Sequence, residues 1–144
     1  MSDIPKELSE QESLLKVVAG LVPATAQQVG AALGKLSMRL EELTHELALA
    51  DEKSTHLSEE YQMAFDKAFL LAGASAKVKV TEAVRNAEAR IATYALRLDA
   101  EVAKLHVRSL KAAHRTLDRR IDVGRTQAAT VRSEHRVLPY GQAS

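Results

Sequence analysis

The stretch VGAALGKLSMRLEELTHELALA, residues 29–50, decides the fold. Val29, Leu33, Leu36, Leu40, Leu43, Leu47 and Ala50 recur at alternating steps of four and three, which places them on one stripe of an α-helix. The same frame runs on through Ser54, Leu57, Tyr61, Ala64, Ala68 and Leu71, with Ser54 its one polar member. A stripe held over that length is a heptad seam, the pattern of a coiled coil. Just upstream, Thr25 and Gln28 have the spacing of a capping box, so the seam predicts a helix over 26–72. The polar run Asp51 to Ser58 is where a kink or break is expected, and Gly30 and Gly34 read as points where a neighbour comes close.

Working outward, Ser9 and Glu12 repeat the capping-box spacing before Leu14, Leu15, Val17, Val18 and Leu21. They predict a short helix over 9–21, stopped by Gly20 and Pro23. On the other side, Gly73-Ala74-Ser75 reads as a tight turn with Ser75 as the next cap, opening a second long helix over 75–137. Its β-branched start near Val80 allows a short extended piece. Val80, Val84, Ala87, Ile91, Tyr94 and Leu98 form a second seam in four-three steps. The register then slips near Val102 and Leu105, as in a stutter. A third frame follows through Leu110, His114, Leu117, Ile121, Gly124, Ala128, Val131, His135 and Leu138. Pro139 and Gly141 end the helix, and 138–144 reads as a flexible tail. The expected fold is all-α and of one domain: a long antiparallel, coiled-coil-like helical hairpin preceded by a short helix. Further apolar residues beside the seams, among them Leu49, Met63, Phe65, Phe69, Leu70 and Leu96, need partners, so a homo-oligomer is expected.

Composition agrees with long helices. The 144 residues include 24 Ala but no Cys, no Trp and only five aromatic side chains. The absence of Cys excludes a disulfide scaffold and any thiolate-ligated metal. The net charge of +1 hides an asymmetry: residues 1–60 carry a net −6 and residues 61–144 a net +7. That split points to nucleic-acid binding or to head-to-tail self-association. The acidic N-terminus does not resemble a signal peptide, and no apolar run reaches the ~20 residues of a membrane helix, so a cytoplasmic protein is expected.

The strongest chemical signal is a basic stripe. Lys104, Arg108, Lys111, Arg115 and Arg119 are spaced four, three, four and four, within about a third of the helix circumference. Arg120, Arg125, Arg132 and Arg136 continue the run, and from Lys104 to Arg136 nine basic residues face three acidic ones. Regularly spaced cations displace the counterions of a nucleic acid. A solvated face, or one that pairs with an acidic helix, has the same appearance. Tyr61, Phe65 and Phe69 lie four apart and read as core rather than as a base-stacking platform. Glu42-x-x-His45 occurs once, whereas a carboxylate-bridged metal bundle needs two copies, so no metal is expected. His114 and His135 fall on seam positions, where a polar residue fixes register. No phosphate loop or nucleophile elbow is present, so neither an enzyme nor a cofactor is expected.

Two strings carry a family resemblance. Glu41-Glu42-Leu43 with Glu46-Leu47, and Ala95-Leu96-Arg97-Leu98-Asp99, resemble segments of the phage recombination mediators typified by UvsY. The resemblance covers roughly 40–136; the chain departs from the family in its fewer aromatics, its additional Ala and its N-terminal helix. It implies an oligomer that holds single-stranded DNA, with Arg97 the matching basic residue, and that works with a recombinase and a single-strand-binding protein. The segment Arg119-Arg120-Ile121-Asp122-Val123-Gly124-Arg125 is also similar to small helical proteins of actinobacterial phages, which implies a phage origin. Two other readings stay open at this level: a structural or assembly coiled-coil protein (scaffold, chaperone or adaptor), and a small inhibitor that binds a host protein.

Overall fold

The computed structural model describes residues 6–74 and 79–142, the side chains of Val131 and of 134–142 excepted. All its elements are helices: α1 (Lys6–Val18), α2 (Ala26–Ala74), α3 (Glu82–Ala92) and α4 (Tyr94–Gln142).

Helix α1 begins at Lys6 rather than Ser9. Ser9 lies inside the helix, its carbonyl accepting from the Ser13 hydroxyl at 3.0 Å, and Glu12 turns to Arg120 instead of back to the Ser9 amide. The helix stops at Val18, short of Leu21. There Gly20 adopts φ 76°, the Leu21 N–H bonds the Lys16 carbonyl (3.0 Å) and the Gly20 N–H bonds that of Val17 (3.2 Å). This is a Schellman ending, and it needs a residue that tolerates the left-handed region.

At the start of α2 the capping box is reciprocal. The Thr25 N–H donates to Gln28 Oε1 (2.8 Å), and the Gln28 N–H donates to Thr25 Oγ1 (3.2 Å). The helix does not break over 51–58. Asp51, Glu52, Lys53, Thr55 and His56 are exposed while Ser54 alone is buried, so the polar run is a solvent face and not a breaker. Nor does Gly73 interrupt it, since α2 continues to Ala74. What Gly73 provides is space: a Cβ there would overlap the Arg85 guanidinium, which lies over the Phe69 ring at 4.7 Å. The expected cap at Ser75 lies outside the described residues.

The single helix expected over 75–137 is two helices. Thr81 is extended (ψ 154°), and its hydroxyl accepts from the Val84 N–H at 3.4 Å, so α3 starts at Glu82. At Thr93 the Ala89 carbonyl accepts both the hydroxyl (2.6 Å) and the backbone N–H (3.1 Å), and the residue leaves helical geometry at φ −111°, ψ 13°. The Arg97 N–H still reaches the Thr93 carbonyl (3.0 Å), so α3 and α4 abut with no connecting loop. Helix α4 is continuous across 102–105 and past Pro139 to Gln142. A proline so close to a helix end removes one backbone bond without ending the helix, and the tail expected from 138 is helical through Gln142.

The chain forms two compact units, and α2 and α4 each contribute to both. The first holds residues up to Thr44 and those from Ala112 on; the second holds His45–Lys111. In the first, Leu15, Val18, Ala32, Leu36, Leu43, Leu117, Ile121 and Gly124 are buried, and Val29, Leu33 and Leu40 are half-buried. The Thr44 hydroxyl donates to the Leu40 carbonyl (2.9 Å) and lies 3.2 Å from His114 Nε2. A hydroxyl has one proton to give, so His114 is the donor to Thr44, and its Nε2 carries hydrogen. In the second unit Ala50, Ser54, Ala89, Thr93, Ala100, Ala103 and Val107 are buried, with Leu47, Leu57, Leu96 and Leu110 half-buried. Leu71, expected on the seam, is exposed near the end of α2, and Val131 lies outside the described side chains.

These buried positions correct the register of α3 and α4. Ala89, Thr93, Leu96, Ala100, Ala103, Val107, Leu110, His114, Leu117, Ile121, Gly124 and Ala128 form one unbroken four-three series, all buried or half-buried. There is no slip at Val102 to Leu105. The expected second seam is turned outward instead: Val84, Ala87, Ile91, Tyr94 and Leu98 are all exposed. Small Ala and Thr side chains let two helices approach closely, so the inward row is the one with less volume.

Candidate nucleic-acid interface

The basic residues lie on α4, and its packing sets which of them are free. Leu117, Ile121 and Gly124 face inward in the first unit, so Arg115 and Arg119, two residues away from them, project on other sides of the helix. Lys104, Arg108 and Lys111 are exposed in the second unit, and Arg115, Arg119 and Arg125 in the first. Among the described residues, Arg108, Lys111, Arg115, Arg119 and Arg125 have no ion-pair partner. Steps of three and four residues separate the first four by about 4.5–6 Å along the helix.

Four other predicted cations are already engaged. Arg120 clasps both carboxylate oxygens of Glu12, with Nη2 2.9 Å from Oε2, and so fastens α1 to α4. This bidentate contact holds the Glu12 carboxyl below its ordinary range and raises the Arg120 guanidinium. Lys104 is 3.5 Å from Glu101, one helical turn away. The Arg97 guanidinium lies 5.8 Å from the Tyr94 ring centre. Arg132 bonds the Ala128 carbonyl through Nε (3.4 Å) and lines a cleft with Val17, Val18, Gly20 and Val29, away from the outer row. The side chain of Arg136 lies outside those described.

Arg90, a loose neighbour of the Arg97 match in the resembling segment, was not placed in the predicted row. Arg90 is exposed and stands seven residues before Arg97, which is itself seven before Lys104. A heptad count run backward from Lys104 finds it. Arg85, by contrast, packs on Phe69 as a partly buried group, with no hydrogen-bond partner for its Nε.

Among the described side chains, no aromatic ring lies beside Arg108, Lys111, Arg115 or Arg119. Tyr61, Phe65 and Phe69 form a half-buried ladder on α2, with ring centres 6.2 and 6.5 Å apart. Glu42 pairs with Arg39 at 3.1 Å, and the described residues hold no cluster of three or more metal-ligating side chains. No helix among them is long and apolar enough to cross a membrane. What the outer face of α4 can do is hold an anion by charge, at several points in a row. No protein-family model, curated protein or solved structure matches the chain.

Proposed function

We propose that the chain is a non-enzymatic, oligomeric helical hairpin that binds single-stranded DNA through the outer face of α4. In this reading it serves as a recombination mediator or accessory of the kind its sequence resembles, in the cytoplasm of a bacterial host. One observation carries the proposal: Arg108, Lys111, Arg115 and Arg119 are exposed in consecutive turns with no acidic partner among the described residues. Cations left unpaired in this way are neutralised by small counterions, and a polyanion that replaces those ions gains their release. A flexible single strand can lay successive phosphates along a helix face, whereas a duplex backbone curves away from it. Without aromatics beside the row, the contact is to phosphates and is indifferent to sequence. The contact from one chain is weak, and an oligomer that presents several rows multiplies it.

The direct test is charge reversal. The Arg108→Glu/Lys111→Glu/Arg115→Glu chain should lose binding to a labelled oligonucleotide, read by fluorescence anisotropy, while keeping its helical circular dichroism and its mass. A collapse of the assembly instead would make the row a protein interface. A second reading, a structural coiled-coil protein of phage assembly, is favoured by the exposed apolar stripe of α3 and α4 and predicts no DNA binding at low salt.

A further inference from the structure

The outer side of early α4 carries two stripes of different character side by side. Tyr94, Leu98 and Leu105 are exposed, and Tyr94 is 55% accessible. Among the described side chains it is the one exposed aromatic, since Tyr61, Phe65 and Phe69 are half-buried on α2. Arg97, Lys104 and Arg108, also exposed, follow at steps of seven and four and lie within about 40° of one another round the helix. Arg97 directly precedes Leu98 and Lys104 directly precedes Leu105, so the basic stripe runs about 100° from the apolar one. The two stripes meet at Tyr94, where the Arg97 guanidinium lies 5.8 Å from the ring centre. All six residues belong to the second unit. Of the carboxylates nearby, Glu101 is paired with Lys104 at 3.5 Å, and Asp99 lines a cleft with Ala50 and Leu57 on another side of α4.

We infer that Tyr94 is where a base of the bound single strand stacks, with Leu98 and Leu105 receiving neighbouring bases and the phosphates lying on the basic side. A single strand has the same two characters as this surface: flat apolar bases along one edge and phosphates along the other. An exposed aromatic ring bordered by cations binds such a strand without reading its sequence, because every base has a π-face. A duplex turns its bases inward and so offers the ring nothing; a base-free polyanion offers it nothing either. Leu98 and Leu105 do not stack, but a base laid over them removes apolar area from water. The row from Arg108 to Arg119 does not by itself tell a single strand from another flexible polyanion, and Tyr94 adds that distinction. The inference rests on the proposed DNA binding and supplies its base contact.

The probes are two labelled strands of equal length and charge, an oligothymidylate and its abasic counterpart of deoxyribose phosphates. Binding of each to the full chain is read by fluorescence anisotropy at low salt. The parent should bind the oligothymidylate roughly 5- to 150-fold more tightly than the abasic strand. Tyr94→Ala should lose that advantage and leave the abasic affinity unchanged, while Tyr94→Phe, which keeps a ring, should retain most of it. Helical circular dichroism should be the same for all three chains, since Tyr94 is exposed. Equal affinity of the parent for both strands, or an advantage that survives Tyr94→Ala, would overturn the base contact and leave the basic row standing. Binding of neither strand would remove the DNA reading itself, and this inference with it.

Discussion

Glu12 places both carboxylate oxygens on the Arg120 guanidinium, and this one pair links the first helix to the last. The hydrogen bonds from Arg120 are the main reason that the Glu12 carboxyl lies below its ordinary range. The folded state therefore binds this proton less readily than the unfolded chain. The stabilisation is complete above the ordinary glutamate range, about pH 4.3, and is lost as pH falls through the lower folded value. Hydrogen exchange of the α1 amides should accelerate through that acidic window in the parent chain. In Glu12→Gln the same step should be absent; a step of equal size would remove the pair as its cause. Glycines make a second argument at this scale. A Cβ on Gly124 would stand 3.0 Å from Val18 Cγ1, and Val18 is fully buried, whereas nothing described lies within 4 Å of one on Gly30 or Gly34. Within the described chain, then, nothing packs closely on Gly30 or Gly34, and Gly124 is where the close approach occurs. Gly124→Ala gains ~1 kcal/mol of helix propensity but incurs ~1–3 kcal/mol of overpacking, a net loss on the order of 1 kcal/mol. Gly34→Ala has only the gain, about 1 kcal/mol. Thermal melts of the two variants should shift in opposite directions.

The elements show what their residues announce and what they conceal. The α2 frame was legible because an unbroken run of its inward positions, Leu33 to Leu47, is Leu, and the frame is buried or half-buried from Val29 to Ala68. The inward frame of α3 and α4 was not. Most of its buried members in the second unit are small, Ala89, Thr93, Ala100 and Ala103, while Ile91, Tyr94 and Leu98 spell a bolder seam on the opposite face. Reading apolar bulk as core selected the outer row, and joining it to the true frame beyond Leu110 produced an apparent slip. The break at Thr93 was equally hidden, since it is a change in one residue's backbone angles, to φ −111° and ψ 13°, in an otherwise helical run. Among the basic residues, spacing placed Arg108, Lys111, Arg115 and Arg119 correctly on an exposed face, but it had no means of seeing Arg120 taken by Glu12, 108 positions away in sequence. The corrected register makes a prediction of its own. Ala100 is 2% exposed and Leu98 is 43% exposed. Ala100→Leu should therefore destabilise the fold by ~1–3 kcal/mol in chemical denaturation. If Ala100→Leu is neutral, Ala100 does not face the core.

Taken as a whole, the chain sorts its charge by position along the sequence. The net −6 of residues 1–60 and the net +7 of residues 61–144 leave it almost neutral, so the proposed binding of a polyanion rests on local placement and not on total charge. That placement is α4, where the cations that remain unpaired gather beyond Leu105 and the apolar stripe ends. The apolar stripe and the basic row follow one another along the chain, and phosphates are the proposed partner of the row. The central claim is that the row meets phosphates. It is tested most directly by the salt dependence of binding to a labelled single-stranded oligonucleotide. Four cations per chain predict a log–log slope of roughly −3 for each chain bound. A slope near zero, or no binding at low salt, would contradict the account and assign the row to a protein partner.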